Sequence, residues 1–132
     1  MEKTGTIAGI MGGTAVMLGA LGAHALKDIL PPSGLDAFKT AVLYQMFHAL
    51  ALLGIIGLRK QLKMVSWLVW VQRCWIGGVV LFSGSIYGLT ILGALGWPVK
   101  FLGPVTPLGG LTLMVGWLIL TLGFFSGKST KS

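Results

Sequence analysis

The stretch AVLYQMFHALALL, from Ala41 to Leu53, decides the fold because it is apolar and yet carries three polar side chains. Residues three and four positions apart lie on one face of a helix, so Tyr44, Gln45 and His48 share a face. Such side chains are costly inside a bilayer and normally point toward the protein interior. The stretch therefore predicts a membrane-spanning helix whose polar face meets the other helices of the chain.

The composition of the chain is that of an integral membrane protein. Its 132 residues are 55% hydrophobic and only 10% charged, whereas soluble domains carry about 25% charged residues. Glycine occurs 21 times, about twice its ordinary share of roughly 7%, which fits closely packed transmembrane helices. The net charge of +7 arises from short basic segments between apolar runs. Such segments act as topology signals and lipid contacts, so nucleic acid is not an expected partner.

Four apolar runs predict an all-α, polytopic fold, in which one domain forms an antiparallel bundle of four transmembrane helices. The predicted spans are about 6–26, 39–58, 74–95 and 106–125, and each is close to the ~20 residues that cross the hydrocarbon core. A secretory signal peptide is the alternative for the first run, but the length of that run and Glu2 beside Lys3 favour a retained helix.

The segment between the second and third spans is harder to assign. It is apolar from residue 64 to 72, but Arg73 separates it from the next long run. A single helix across both would be too long for an untilted span. We therefore predict a short interfacial helix at 61–73, with Trp67 and Trp70 at head-group level.

Glycines at helical spacing predict where helices pack closely. They are Gly5, Gly9 and Gly13 in the first span, Gly84 and Gly88 in the third, and Gly109, Gly116 and Gly123 in the fourth. The seven-residue spacing in the fourth span places its glycines on one slightly supercoiled seam. Thr106 and Pro107 are typical of a helix start, as N-cap and first helical residue.

The distribution of basic residues predicts the orientation of the four spans. An even number of spans puts both termini on one side, together with seven basic residues: Lys3, Arg59, Lys60, Lys63, Arg73, Lys128 and Lys131. The other side holds three: Lys27, Lys39 and Lys100. Because positive charge accumulates in cytoplasmic segments, both termini are predicted to lie in the cytoplasm.

Four motifs in order carry a family resemblance: GALGAHALKD (Gly19 to Asp28), YQMFHALALL (Tyr44 to Leu53), LFSGSIY (Leu81 to Tyr87) and TPLGG (Thr106 to Gly110). With them the chain resembles a bacterial family of small membrane proteins, the domain of unknown function four-two-three or uncharacterised protein family zero-three-eight-two. The resemblance extends from Ile10 to Leu122. It implies a four-span protein of the bacterial cytoplasmic membrane, and it implies no activity.

His48 is the strongest candidate for a functional residue, since it lies roughly 14 Å deep in its span. It is either a ligand contact, proton relay or metal ligand, or a neutral imidazole that fixes the bundle through hydrogen bonds. Tyr44, Gln45, Ser83 and Ser85 complete the candidate intramembrane cluster.

His24 and Thr106 are secondary candidates. A metal shared by the two histidines is disfavoured, because they differ in depth by roughly 10 Å and imidazole ligands must approach zinc to about 2.1 Å. The helix start at Thr106 could present free N–H groups to an anion. The sequence predicts no metal, cofactor or catalytic set, and hence no enzyme.

Two functions remain open. The first is a structural or interaction component that associates with itself or with another membrane protein, since the glycine seams exceed what one small bundle can bury. The second is a binding or transport module for a lipid, quinone or small amphiphile at Tyr44, Gln45 and His48. Membrane lipids are expected neighbours in both cases.

Overall fold

The computed structural model describes residues 2–62 and 65–128. Within them it has four long helices: α1 (Glu2–His24), α2 (Pro32–Gln61), α3 (Ser66–Tyr87) and α4 (Val105–Lys128). All four described helices are long and apolar enough to cross a membrane, so the predicted all-α fold with four spans is confirmed. Lys63 and Lys131, two of the residues behind the orientation prediction, lie outside the described part of the chain.

Short irregular turns connect the helices at one end of the molecule. A 3₁₀ turn at Leu26–Asp28 precedes α2, whose first helical residue is a proline with no N–H to leave unpaired. At the same end, α3 widens into a π turn at Gly88–Leu92, and Gly96 follows with φ +80°. Glycine adopts this left-handed conformation without the penalty that a Cβ would bring, and so terminates the helix.

The prediction of a separate interfacial helix at 61–73 is wrong for the described residues. Gln61 ends α2, and residues 66–73 form the first two turns of α3. The Arg73 guanidinium carbon lies 5.2 Å from the ring centroid of Trp70, one turn nearer the helix start. A long basic side chain reaches back toward the interface in this way, so Arg73 does not have to interrupt the helix.

The start of α4 also differs by a residue or more from its prediction. The helix begins at Val105, so Thr106 lies in the first turn and is not the N-cap. Helix ends are the part of a sequence-based assignment most easily displaced, because the terminal turns fray.

Small residues let α1 lie close against α2. They recur at intervals of three and four along one face of α1: Gly5, Ala8, Gly12, Ala15, Gly19 and Gly22. A Cβ on Gly19 would meet Val42 Cγ1 at 3.5 Å, and one on Gly22 would meet Phe38 Cε1 at 2.9 Å. The face of α1 toward α2 is thus a flat seam without side chains to hold the backbones apart.

Of the three glycines predicted to pack in α1, only Gly5 lies on this seam, with its Cβ position 3.6 Å from Ile56. Gly9 and Gly13 are exposed, and a Cβ on either would have no neighbour within 4 Å among the described residues. The reason is geometric: α1 carries two small-residue stripes at helical spacing, and the one that faces α2 begins at Gly5.

The predicted glycine seam of α4 lies against α3. Gly109 abuts the backbone of Phe82, and Gly116 and Gly123 lie beneath the indole rings of Trp75 and Trp67. In α3 itself, Gly84 faces open space, while Gly88 lies beside Leu102 in the turn before α4. Large aromatic side chains from α3 therefore fill the space that the α4 glycines leave.

The helices pack in chain order, α1 on α2, α2 on α3 and α3 on α4, and α1 forms no extensive interface with α4 in the described residues. The main core cluster lies between α2 and α3, with Leu52, Leu68 and Val71 completely buried. The outer faces of α1 and α4 expose large apolar side chains, including Met17, Leu118 and Phe125. Such surfaces are those that face lipid or another membrane protein.

Candidate functional site

Gln45 joins three helices at the middle of the molecule. Its Nε2 donates to the Met11 carbonyl at 2.8 Å and to Thr14 Oγ1 at 2.7 Å, both on α1. Its Oε1 accepts a hydrogen bond of 2.7 Å from the Tyr87 hydroxyl on α3. Both amide hydrogens and the amide oxygen are therefore engaged. Gln45 is buried, with 6% of its surface exposed, and it ties α1 and α3 to α2.

His48 is held as a neutral imidazole by its two partners. Its Nε2 accepts a hydrogen bond of 3.1 Å from the indole N–H of Trp117, so this nitrogen carries no proton. Its Nδ1 lies 2.7 Å from the Tyr44 carbonyl oxygen, which can only accept, so Nδ1 carries the proton. Both ring nitrogens are used.

Two indole rings enclose the imidazole of His48. The ring centroids of Trp75 and Trp117 lie 5.8 and 6.0 Å from that of His48, in edge-on arrangements. The imidazole therefore fills a core position between α2, α3 and α4. A metal or haem could bind Nε2 only by displacing Trp117.

The two serines of the candidate cluster hold different pairs of helices. Ser83 is buried and its Oγ donates to the Ala41 carbonyl of α2 at 2.7 Å. Ser85 Oγ lies 2.6 Å from Thr106 Oγ1 of α4, and it donates to its own helix at Phe82 when Thr106 supplies the proton of the interhelical bond. Thr106 thus meets a side chain of α3.

Tyr44 differs from the other members of the cluster because 40% of its surface is exposed. Its ring packs on Phe82, with 4.7 Å between centroids. Beside it, two shallow grooves of about 420 and 550 Å³ run between α2 and α4, and Tyr44, His48 and Trp117 line both. Apolar side chains form most of the lining of both grooves.

His24 is exposed at the end of α1, away from the cluster around His48. The described residues contain no group of three or more His, Cys, Asp or Glu side chains that could hold a metal ion.

The hydrogen bonds of Gln45 and His48 form a polar network, and the sequence analysis did not identify three of its members. These are Thr14, Tyr87 and Trp117. Tyr87 stands within the motif LFSGSIY, and the other two stand inside apolar runs. A hydroxyl or indole N–H in a span requires a partner, which is the signal that could have identified them. Which partner each one finds depends on packing between helices that are distant along the chain.

A separate cavity of about 840 Å³ lies at the end where the α1–α2 and α3–α4 connections meet. Its walls come from three parts of the chain: the residues before and at the start of α2, the π turn of α3, and the segment from Trp97 to Phe101. No member of the Tyr44–His48 cluster lines it.

Comparison with known proteins gives consistent results. Residues 18–110 match the family described as protein of unknown function (DUF423). The UPF0382 membrane protein SSP2132 of Staphylococcus saprophyticus is 39% identical over 113 residues, which cover 84% of this chain and 87% of that protein.

Two further relatives also align with this chain over most of their length. The UPF0382 membrane protein YwdK of Bacillus subtilis is 35% identical, with 82% of this chain and 84% of that protein covered. The UPF0382 inner membrane protein YgdD of Escherichia coli is also 35% identical, with 88% and 84% covered. No solved structure matches the chain.

Proposed function

Since this chain belongs to the DUF423 family of UPF0382 membrane proteins, we propose that it is a structural component of the membrane that associates with further copies of itself. It has no catalytic activity of its own. The observation that carries this proposal is the second small-residue stripe of α1, which nothing in the described chain covers.

The candidate polar cluster supports a structural role. Gln45 and His48 use their hydrogen-bonding atoms on partners in α1, α3 and α4 and on their own helix. A substrate or quinone at these atoms would have to break bonds that hold the helices together. This geometry favours the structural hypothesis over a ligand site at Tyr44, Gln45 and His48.

The outer stripe of α1 supports self-association. It comprises Thr6, Gly9, Gly13, Val16 and Ala20, all exposed and spaced by three and four residues. On the adjacent face of α1, a stripe of the same kind already seats α2. Helix association in membranes relies on such small residues, because they allow the backbones to approach.

A symmetric pair predicts that α1 of one copy lies near α1 of the other, with equivalent residues close to the two-fold axis. The test is disulfide crosslinking in native membranes of a Cys74→Ser protein that carries Gly13→Cys. We expect efficient dimer formation, because Cα atoms within about 7 Å can be bridged. The matched control is Gly84→Cys in the same background, since Gly84 also faces open space but lies on α3.

Crosslinking at position 84 and not at 13 would refute α1 as the interface. A lack of crosslinking at both positions, together with a monomeric mass in mild detergent, would refute self-association itself. Gly9→Leu with Gly13→Leu should reduce the dimer fraction, whereas Gly84→Leu should leave it unchanged.

The location and orientation are part of the same proposal. The protein lies in the bacterial cytoplasmic membrane, with both termini in the cytoplasm. Support comes from the seven-to-three distribution of basic residues and from the Escherichia coli relative, which is named an inner membrane protein.

The orientation is tested with a membrane-impermeant maleimide on intact spheroplasts. In the Cys74→Ser background, Lys27→Cys should react from outside, and Ser126→Cys should react only after permeabilisation. The reverse pattern would overturn the orientation.

A further inference from the structure

The cavity between the two connections is a feature that the hydrogen bonds around Gln45 and His48 do not explain. Its volume of about 840 Å³ falls within the range of roughly 300–1,000 Å³ that is usual for small-molecule sites. We propose that this cavity binds an anionic phospholipid, with an acyl chain inside it and the phosphate at Lys100. The site is independent of the α1 interface.

Small residues and an unusual turn keep the cavity open. The π turn at Gly88–Leu92 widens α3 at this level, and Leu89 and Thr90 of that turn line the cavity. Gly93 and Ala94 follow and contribute almost no side-chain volume to the same wall. A π turn is rare and is frequently found at functional sites. Here the turn and the small residues after it form the wall of the cavity that faces the connection before α2.

The charge of the lining selects the head group. Lys100 is the one charged residue among the lining residues. The chain has three acidic residues, Glu2, Asp28 and Asp36, and none of them lines the cavity. The remaining lining is largely apolar, with Leu30 and Val99 among its buried residues. A single cation beside an apolar space is complementary to an amphiphile with a negative head and a hydrocarbon tail.

Exposed aromatic residues place the mouth of the cavity at the membrane surface. Trp97 and Phe101 line it and are 62% and 72% exposed. Tryptophan is enriched at the level of the lipid head groups. Lys100 stands between these two in sequence, and we infer that it belongs to the same head-group region. The occupant is therefore a membrane lipid and not a soluble anion.

The test is native mass spectrometry of the full-length protein, released from detergent with equal amounts of phosphatidylglycerol and phosphatidylcholine. We expect the wild-type protein to retain about five times as much phosphatidylglycerol as phosphatidylcholine. This is the factor in affinity that one basic residue contributes at an anionic surface. Lys100→Gln should abolish that preference, and Lys100→Arg should preserve it. Lys27→Gln is the matched control, because Lys27 lies at the same end but outside the cavity.

A second variant tests the cavity itself. Ala94→Trp fills the space and should remove the retained lipid of both classes, whereas Ala23→Trp, exposed on α1 and outside the cavity, should not. Equal retention of the two lipids by the wild type, or an unchanged preference in Lys100→Gln, would overturn the head-group assignment. Full retention by a folded Ala94→Trp protein would overturn the cavity assignment. If Ala94→Trp fails to fold, the Lys100 variants alone decide.

Discussion

The indole N–H of Trp117 donates a hydrogen bond of 3.1 Å to Nε2 of His48, which joins α4 to α2 across 69 residues of sequence. The chain otherwise packs its helices in order, and α4 lies mainly on α3. This bond therefore connects α4 directly to α2. It also fixes the tautomer of His48, because a nitrogen that accepts from an indole carries no proton.

The first prediction concerns this bond. Trp117→Phe removes the donor and should lower the free energy of unfolding by about 0.6–1.7 kcal/mol, from the average to the largest value measured for hydrogen bonds between transmembrane helices. A double-mutant cycle with His48→Phe, followed by unfolding in mixed micelles, should give a coupling energy of similar size.

Trp97→Phe serves as the control for that cycle, because Trp97 is 62% exposed. It should change stability by less than about 0.5 kcal/mol. Additive effects of the His48 and Trp117 substitutions would show that the bond does not stabilise the fold. A stable His48→Ala protein that loses a bound molecule would instead make His48 part of a ligand site.

The second prediction concerns the different contributions of Tyr87 and Tyr44 to stability. Tyr87→Phe removes a hydroxyl that donates to Gln45 at 2.7 Å and leaves the buried amide oxygen without this partner. The expected loss is about 1–2 kcal/mol in the free energy of unfolding, because an unsatisfied buried acceptor is expensive. Gln45→Leu should lower the free energy of unfolding by at least as much, since it also removes the hydrogen bond to Thr14 on α1.

Tyr44→Phe is the comparison for this prediction. Tyr44 lies on the same helix as Gln45 but is 40% exposed, so the loss of its hydroxyl should change stability by less than about 0.5 kcal/mol. Equal losses for both tyrosines, measured by thermal unfolding in the same detergent, would contradict the central role of Gln45.

The four helices and the polar face of α2 could be predicted from the sequence, for one physical reason. In a bilayer every backbone polar group must be satisfied within the helix, so long apolar runs become helices almost regardless of detail. The same constraint marks a polar side chain in such a run as one that seeks a partner. Gln45 and His48 could therefore be placed on an inward face from their spacing alone.

The hydrogen-bond partners of Gln45 and His48 could not be predicted. The spacing of residues shows which side chains share a face of a helix, but it does not show which helix lies opposite that face. Trp117 looks like any aromatic residue of an apolar run until α4 is placed beside α2. The two stripes of α1 illustrate the same limit, since Gly5 and Gly9 stand four residues apart and only packing shows that they belong to different stripes. Arg73 misled the assignment of α3 because a charge in a sequence does not show where its long side chain ends.

The last prediction uses the opposite surroundings of two glycines. A Cβ on Gly109 would collide with the backbone of Phe82, which cannot rotate away, whereas a Cβ on Gly84 would meet nothing within 4 Å. Gly109→Ala should therefore destabilise the protein by about 1–3 kcal/mol, as overpacking does. Gly84→Ala should be neutral or stabilising by about 0.5–1 kcal/mol, because alanine loses less backbone entropy in a helix.

The informative quantity is the sign of the difference in stability between these two variants, since both replace a glycine by an alanine. Thermal unfolding of the two proteins in one detergent measures it directly. Gly116→Ala should fall between them, because its Cβ would meet a side-chain atom, Trp75 Cδ1, at 2.6 Å, and a ring can shift where a backbone cannot. If Gly109→Ala were as stable as Gly84→Ala, α4 would not lie against α3 along its glycine seam.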